Sequence, residues 1–352
     1  MATQLVKGNT AVIVGALYAG CDSFFGYPIT PASEILHEAA KLFPPAGRRM
    51  VQAESEEAAI NMVYGAAAAG TLAMTATSGP GMSLMQEGLS YMAGANLPGV
   101  VVNVMRAGPG LGNVYPEQGD YNQAVKGGGH GNYACAVVAP ASVQEMCDLT
   151  MRAFGLAFAY RTPAIVLADG LLGQMMEALV LPERESPRPD TSDWALHGTA
   201  ATRSHLVTSI YLDAAAQEAH NLRLQAKYAA MRSEARHETY LCDDAELVLL
   251  AYGICSRICR TAAEMLRAEG IRAGVFRPIT LNPFPAEALC AVLEGRRGMV
   301  VELSAGQFRD DVLLHLAKEG GRTQPITLCN RLGGMVMTVE DVVQAARAVA
   351  KR

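Results

Sequence analysis

The feature that most constrains the fold is a regular alternation of short apolar segments with longer helical ones. From residue 9 to 180, apolar runs end at Gly, Pro or Ser, and most are followed by helix-forming residues. This alternation is typical of a parallel β-sheet that is covered by helices on both faces. Strands are expected at 23–26, 50–53, 72–75, 100–104, 136–138 and 164–167.

A second block repeats the pattern after a charged, Pro-rich stretch at 182–190, which cannot continue a helix. We therefore predict an α/β protein with two parallel-sheet domains, at 1–181 and 242–352, joined by a linker region at 182–241. The linker includes a long polar helix, expected at 213–238, which is either a strut between the domains or a surface for a partner. Strands of the second block are expected at 247–251, 274–276, 299–302 and 326–328, and helices at 256–269, 285–293, 307–318 and 339–350.

The apolar stretch that ends at Cys21 follows Lys7 and partly resembles a lipoprotein cleavage site. The segment before it carries too little positive charge for a signal peptide, so we interpret the stretch as an Ala-rich helix. Asn9 or Thr10 can cap the start of this helix, and Gly20 can end it.

Composition excludes several classes of protein. The net charge is −5 and the basic residues are scattered, so nucleic-acid binding is not expected. The eight cysteines contain no C-x-x-C pair. We therefore expect no iron–sulfur cluster and no zinc site on this chain. No run reaches the roughly 18 apolar residues that cross a bilayer, so no membrane association is expected. Without a disulfide-like framework, a cytoplasmic location is favoured.

The octapeptide at 26–33, GYPITPAS, lies where an apolar strand gives way to a helix. Pro28 and Pro31 each fix φ, and they bias the preceding residues away from helix, so the backbone around Thr30 is predicted to be rigid. A rigid hydroxyl at the carboxyl end of a parallel strand suits ligand binding. The octapeptide alone fits a well-capped loop without chemistry equally well.

With three further segments, the sequence resembles the α subunit of the 2-oxoacid:ferredoxin oxidoreductases, which depend on thiamine diphosphate. The resemblance continues beyond residue 170 and covers nearly the whole chain. It implies a pyrimidine-binding domain for thiamine diphosphate, followed by a smaller domain like the carboxyl-terminal domain of transketolase. The segments that carry it are 26–33 (GYPITPAS), 52–59 (QAESEEAA), 75–81 (TATSGPG), 104–106 (VMR), 302–307 (ELSAGQ) and 330–334 (NRLGG).

The resemblance assigns the catalytic contact with the cofactor to Glu56. A carboxyl group that is hydrogen-bonded to the aminopyrimidine ring promotes the deprotonation that makes thiamine diphosphate nucleophilic. The resemblance also implies cofactor contacts from Pro28, Ile29, Ser78 and Gly79. The alternative is purely structural: acidic residues at a helix start complement the helix dipole, and the Ser-Gly pair forms a plain tight turn.

Thr30 and Arg106 are the expected substrate-binding pair. A guanidinium can bind the carboxylate of a 2-oxoacid through two parallel hydrogen bonds while a hydroxyl orients it. Alternatively, Arg106 extends to solvent from its strand end. The Gly-rich loop 107–133 is interpreted as a lid over the substrate pocket, with Lys126 and His130 as wall residues or as plain surface residues. Its glycine spacing does not fit a nicotinamide-binding fingerprint.

The diphosphate half of a thiamine site is missing. A Gly-Asp-Gly motif with a later Asn-Asn pair holds the metal ion in such sites, whereas here Asp169 lies in Ala-Asp-Gly with no asparagine pair downstream. The chain is therefore expected to bind no metal. The resemblance supplies Mg²⁺, the diphosphate site and [4Fe-4S] clusters on partner subunits: a β subunit, a γ subunit and often a ferredoxin-like δ subunit.

The implied reaction is the oxidative decarboxylation of a 2-oxoacid to an acyl-coenzyme A, with ferredoxin as the electron acceptor. Within the family, the segments 127–130 and 174–176 look most like members that use 3-methyl-2-oxobutanoate, with 2-oxoglutarate as the alternative. A second carboxylate would need one more cation, and Lys126 is the candidate. A competing class is a structural subunit that keeps the fold without chemistry.

Overall fold

A computed structural model describes residues 3–320 and 325–351 of the chain. The strands are β1 (Thr3–Lys7), β2 (Ser23–Gly26), β3 (Arg49–Gln52), β4 (Ala73–Thr77), β5 (Gly99–Met105), β6 (Ala136–Val138), β7 (Pro163–Asp169), β8 (Met176–Val180), β9 (His237–Tyr240), β10 (Leu247–Leu250), β11 (Ala273–Pro278), β12 (Thr280–Asn282), β13 (Arg297–Glu302) and β14 (Ile326–Asn330). The α-helices are α1 (Gly8–Tyr18), α2 (Ser33–Leu42), α3 (Glu56–Ala68), α4 (Pro80–Leu84), α5 (Gln86–Gly94), α6 (Tyr121–Val125), α7 (Val143–Tyr160), α8 (Gly170–Gln174), α9 (Ala214–Ala230), α10 (Gly253–Ala268), α11 (Ala286–Val292), α12 (Gln307–Gly320) and α13 (Val339–Ala350).

The first sheet has the strand order β12-β6-β7-β5-β4-β2-β3. All of its pairs are parallel except the edge pair of β12 with β6. Strands β4, β5 and β7 are buried along their whole length, as expected for a sheet covered on both faces. One face packs against α1, α2 and α7, and the other against α3 and α5.

The second sheet has the order β14-β13-β10-β11-β9, and only the edge strand β9 is antiparallel. The predicted fold class is therefore confirmed: two mostly parallel α/β sheets, in the predicted order along the chain. Several elements coincide with their predicted ends, including β2, β6 and α13.

The prediction of a long helix at 213–238 is wrong at the carboxyl end of the helix. Helix α9 ends at Ala230, a short 3₁₀ turn follows, and β9 pairs with β11. Tertiary strand pairing overrides the helix propensity of this segment. Helix α9 lies along the first sheet's domain, where Lys227 donates to Asn96 Oδ1 at 2.7 Å and His220 contacts the carbonyl oxygen of Gly94.

The sequence pattern also missed the short antiparallel pair β1-β8 and the crossing of β12 into the first sheet. A three-residue strand inside the second block has no periodicity that could assign it to a distant sheet. The cap predicted for the first helix is wrong as well. Helix α1 begins at Gly8 with Lys7 at the cap position, and Asn9 is fully buried in the first turn.

Candidate functional site

The expected site residues gather at the carboxyl edge of the first sheet. Strand β2 leads into the 27–32 loop, β4 leads into a turn at 78–79, and β5 leads into Arg106. Because these strands are parallel neighbours, their carboxyl ends open at the same edge of the sheet, where α/β proteins commonly bind ligands.

Glu56 is the first residue of α3 and is buried, with 5% of its surface exposed. Ser55 caps the helix by accepting a hydrogen bond from the amide of Ala58 at 3.1 Å. The neighbouring Glu54 and Glu57 are exposed. Among the described residues, the carboxylate of Glu56 has no hydrogen bond or ion pair. Burial without a partner separates Glu56 from an ordinary helix-start acid, which would face solvent.

The turn between β4 and α4 brings backbone close to Glu56. Gly79 has φ of +42°, a conformation that favours glycine. A Cβ atom on Gly81 would collide with Thr77 Oγ1 and with the carboxylate of Glu56. The absence of a side chain at Gly81 therefore allows Glu56 and Thr77 to share one small space at the strand end.

Arg106 ties two loops together. Its Nη1 donates to the carbonyl oxygen of Thr30 at 2.9 Å, and its Nη2 donates to the carbonyl oxygen of Leu111 at 3.1 Å. Its Cγ would lie 3.4 Å from a Cβ on Gly79. The guanidinium thus contacts the backbone of Thr30 rather than its hydroxyl. A guanidinium carries five N–H groups, so donors remain for an anionic ligand.

Unsatisfied polar atoms concentrate at this edge of the sheet. Five buried atoms from β4, β5 and the residue after each have no hydrogen-bond partner within the described part of the chain: Thr75 Oγ1, Thr77 Oγ1, Ser78 Oγ, Asn103 Oδ1 and Arg106 Nε. Buried polar groups are normally paired, so a cluster of unpaired ones indicates room for a polar ligand. Together with the partnerless Glu56 and the space at Gly81, this cluster fits a heteroaromatic ring such as the pyrimidine of thiamine diphosphate.

Two further polar residues of this edge were missed in the sequence. Asn103 is the register partner of Thr77, and its Nδ2 donates to Asp120 Oδ2 at 2.9 Å. Burial raises the pKa of Asp120, although Asn103, Gln123 and the amide of Gly79 stabilise its charged form. Asparagine inside an apolar strand pattern was the available signal, because a buried amide needs a partner.

The other predicted site residues differ in burial and in the contacts that they make. Thr30 and Pro28 are exposed, and Ile29 is partly buried against the core. Lys126 forms an ion pair with the fully buried side chain of Asp311 on α12. His130 is exposed, and its carbonyl oxygen accepts a hydrogen bond from Ser90. Neither Lys126 nor His130 bonds to Thr30, Arg106 or Glu56.

The first part of the 107–133 loop, the 107–120 segment, is docked on the second domain. The backbone N–H of Gln118 donates to Leu303 O at 2.7 Å, and its side-chain Oε1 accepts from Leu303 N at 2.9 Å. Glu117 accepts from the amides of Gly108 and Gly333. Just after the segment, Tyr121 donates to Asp311 at 2.8 Å.

Asp169, the residue nearest to a metal-binding motif, is structural. Its carboxylate caps α8 by accepting from the amides of Leu171 and Leu172, and it also accepts from the amide of Ile254 in the second domain. Burial raises its pKa to about 6. Within 3–320 and 325–351, no group of three or more His, Cys, Asp or Glu residues is arranged to hold a metal ion. In those same ranges no helix has the length and apolarity to span a bilayer.

Comparison with known proteins assigns the class. Residues 14–241 match the family described as "Pyruvate flavodoxin/ferredoxin oxidoreductase, thiamine diP-bdg", and residues 245–342 match "Pyruvate:ferredoxin oxidoreductase core domain II". The first of these is a thiamine diphosphate-binding domain, as the site geometry indicated. The chain belongs to the pyruvate:ferredoxin oxidoreductase family, which confirms the resemblance seen in the sequence.

Two individual relatives show how similar the chain is to named members of this family. The chain is 60% identical to the ketoisovalerate oxidoreductase subunit VorB of Methanothermobacter thermautotrophicus, over 99% of both chains. It is 41% identical to the 2-oxoglutarate synthase subunit KorA of Archaeoglobus fulgidus, over 89% of this chain and 91% of that one. The first relative is named as a subunit of an oxidoreductase and the second as a subunit of a synthase.

A solved structure, the 2-oxoglutarate:ferredoxin oxidoreductase from Magnetococcus marinus with 2-oxoglutarate, coenzyme A and succinyl-CoA bound, superposes with a TM-score of 0.84 at 27% identity. The match covers 99% of this chain, which spans 65% of the length of that chain. A split-gene transketolase shares the fold alone, with a TM-score of 0.60 at 15% identity.

Proposed function

We propose that this chain is the α subunit of a thiamine diphosphate-dependent, coenzyme A-acylating 2-oxoacid:ferredoxin oxidoreductase, with 3-methyl-2-oxobutanoate as its substrate. The observation that carries the proposal is the turn at 78–81. The buried, partnerless Glu56 contacts Gly81, and Arg106 lies against Gly79 in the same turn. This turn would thereby hold a cofactor-binding acid next to a substrate-binding cation.

Each residue has a chemical task in this proposal. When bound, thiamine diphosphate supplies the carbon nucleophile that attacks the 2-oxo group. Glu56 would hold a proton in a hydrogen bond to a pyrimidine ring nitrogen, and Ser78 and Gly79, with Pro28 and Ile29, would line the ring.

Arg106 and Thr30 would hold the substrate. The guanidinium donors that are not used by Thr30 and Leu111 would bind the carboxylate shared by all 2-oxoacids. The exposed Thr30 hydroxyl would orient that carboxylate. Both groups act by positioning, since neither needs to change its charge during the reaction.

Two observations favour a branched, monocarboxylic substrate. The extra cation that a dicarboxylate needs was expected from Lys126, but Asp311 already neutralises that ammonium group. The exposed side chains of Leu111, Val114 and Tyr115 belong to the segment that Arg106 holds through the carbonyl oxygen of Leu111, and they would offer an apolar environment to an aliphatic substrate. The 60% identity to a ketoisovalerate (3-methyl-2-oxobutanoate) oxidoreductase subunit points the same way. The KorA relatives support 2-oxoglutarate as the alternative, less strongly.

The rest of the enzyme is assigned to partner subunits. A β subunit would carry Mg²⁺, the diphosphate site and [4Fe-4S] clusters, and γ and ferredoxin-like δ subunits would complete the complex. Coenzyme A, the 2-oxoacid and ferredoxin are then its substrates, in the cytoplasm. The absence of a diphosphate motif in the sequence supports this division.

The decisive experiment compares Glu56→Gln with Glu57→Gln in the complex reconstituted with its partner subunits. We expect Glu56→Gln to keep assembly and most cofactor binding but to lose about 100-fold or more in turnover. Glu57→Gln, which changes an exposed neighbour, should retain wild-type turnover. Near wild-type turnover in Glu56→Gln would reject the assignment.

Two further measurements separate the alternatives. Steady-state rates of the complex on a panel of 2-oxoacids identify the substrate, with the highest kcat/KM expected for 3-methyl-2-oxobutanoate. Thermal unfolding with and without thiamine diphosphate, for the chain alone and in the complex, tests the structural-subunit alternative. A shared cofactor site predicts stabilisation only in the complex, because each chain holds half of the ligand.

A further inference from the structure

The 27–32 loop, which carries Thr30, is held by hydrogen bonds from two polar side chains of the first domain, Asn9 and Gln174. Nδ2 of Asn9 donates to the carbonyl oxygen of Pro31 at 2.8 Å and to Glu34 Oε2 at 2.9 Å. Asn9 is fully buried in the first turn of α1. An asparagine buried inside a helix is costly unless its amide is used, and this one reaches across to the loop.

Three donors converge on Glu34 in α2, which closes the network. Besides Asn9, Nε2 of Gln174 donates to Glu34 Oε2 at 2.7 Å, and Lys7 forms an ion pair with the same carboxylate. Partial burial opposes ionisation of Glu34, but the hydrogen bonds from Lys7, Asn9 and Gln174 outweigh it and lower its pKa. Gln174 also points its amide at the carbonyl oxygen of Pro31, at 3.4 Å.

Close backbone packing holds Asn9 in this position. Helices α1 and α8 approach so closely that a Cβ on Gly173 would lie 2.6 Å from Asn9 Oδ1. A Cβ on Gly170, at the other end of α8, would lie 3.3 Å from Pro31 Cγ. The side chain of Asn9 is therefore confined between α8 and the loop, and the loop cannot move without breaking its bonds to Asn9 and Gln174.

We infer that Asn9, with Glu34 and Gln174, is a positioning group for substrate binding: it fixes the Thr30–Pro31 backbone so that Thr30 and Arg106 meet the 2-oxoacid in one geometry. The link to the substrate runs through the carbonyl of Thr30, which accepts from Arg106 Nη1 at 2.9 Å. A displaced loop would therefore misplace both the hydroxyl and the guanidinium. This inference rests on the proposed function.

The test is Asn9→Asp in the full chain, assembled with its partner subunits. This change keeps the size of the side chain, removes the N–H groups that hold Pro31 and Glu34, and places a second carboxyl group beside Glu34. We expect kcat/KM for the 2-oxoacid to fall about 10- to 100-fold, the range for a displacement near 1 Å. The affinity for thiamine diphosphate should fall less than kcat/KM does, because Pro28 and Ile29 of this loop are only part of the proposed ring lining and the network makes no hydrogen bond to Glu56 or to the 78–81 turn.

Asp22→Asn is the matched control. Asp22 precedes β2 at its opposite end, where its carboxylate accepts from the amide of Leu72 at 2.9 Å and pairs with Arg48 and Arg188. We expect Asp22→Asn to lower the midpoint of thermal unfolding at least as much as Asn9→Asp does, with unchanged kcat/KM. A purely structural role for Asn9 predicts instead that both variants lose activity in proportion to stability, and that result would overturn the inference.

A second readout does not depend on activity. Amide hydrogen exchange in the peptide that spans residues 27–36 should accelerate about tenfold or more in Asn9→Asp and stay unchanged in Asp22→Asn. If Asn9→Asp does not fold, Gln174→Ala carries the test, because Gln174 is exposed and gives the loop one long hydrogen bond. It should cost about two- to fivefold in kcat/KM.

The outcomes separate this inference from the proposed function. A wild-type complex that oxidises no 2-oxoacid would reject the proposed function, whatever the exchange data. A wild-type complex that is active, with wild-type kcat/KM and wild-type exchange in Asn9→Asp, or in Gln174→Ala if that variant is the one that folds, would reject the inference alone.

Discussion

Two loops meet at Arg106, and they are held in place by different parts of the molecule. The 27–32 loop is held from within the first domain, by Asn9, Glu34 and Gln174. The 107–120 segment is held by the second domain, mainly through Gln118. One half of the proposed substrate site is thus a local property of the first sheet, whereas the other half depends on how the two domains dock.

The sequence predicts the rigidity of one loop but not the contacts that hold the other. Prolines around Thr30 predict a rigid loop, and the loop is indeed tied down by hydrogen bonds. The glycines of the 107–133 loop give no such signal, and its 107–120 segment bonds to the backbone of Leu303 and Tyr252 across the domain boundary. Local flexibility of a sequence says nothing about contacts that form only in the folded chain.

The largest effect should come from breaking the tie between the two loops. In Arg106→Leu the substrate carboxylate loses its cation and both loops lose a donor, so we expect kcat/KM to fall by about 2–5 kcal/mol in transition-state binding. The loss should appear for every 2-oxoacid tested in the reconstituted complex. Unchanged kcat/KM would show that Arg106 is a solvated strand end and that the carboxylate binds elsewhere.

Gln118→Leu tests the loop that depends on domain docking. The change leaves the amide of Leu303 and the carbonyl of Tyr252 buried without their partner, which should lower the free energy of unfolding by about 2–4 kcal/mol. Urea unfolding of the chain measures this loss. If the two domains dock independently of Gln118, stability and kcat/KM will both remain at wild-type values.

The stability of the contact between the two domains should also depend on pH, because Asp169 accepts a hydrogen bond from the amide of Ile254 in the second domain. The pKa of Asp169 is raised to about 6 by burial, so the folded state binds a proton that the unfolded state has already released between pH 4 and 6. The contribution of Asp169 to stability is therefore greatest below pH 4 and is lost as pH rises, by about 2–3 kcal/mol in total. The unfolding free energy of wild type minus that of Asp169→Asn should therefore fall by this amount when the pH is raised from 4 to 7. A difference that is constant with pH would contradict this.

The smallest effect is expected from Lys126→Met. Lys126 pairs with the buried carboxylate of Asp311 at the domain boundary, and Tyr121 still donates to that carboxylate after the change, so the loss should cost about 1–2 kcal/mol in stability. Because Lys126 does not reach the substrate-binding pair, kcat/KM should be unchanged for monocarboxylic and dicarboxylic 2-oxoacids alike. A selective loss with 2-oxoglutarate would instead place Lys126 in the pocket and favour the alternative substrate.

What the sequence by itself determined is the local part of this protein: the alternation of strands and helices, the turn residues, and the motifs that resemble one family. These features follow from backbone propensities and from short-range spacing, which is why β2, β6 and α13 appear with their predicted ends. The candidate acid at Glu56 could also be named, because the segment at 52–59 resembles the matching segment of the family.

Only the tertiary structure decided which side chains meet. Asn9 bonds to Pro31 and does not cap a helix, and Lys126 forms an ion pair with Asp311. Strand β12 pairs with β6 in the first sheet. The tertiary structure also buried Asp120 next to Asn103, seventeen residues away in the chain. Such contacts satisfy buried polar groups between segments that are distant in sequence, and no local pattern encodes the partner that a buried group will find.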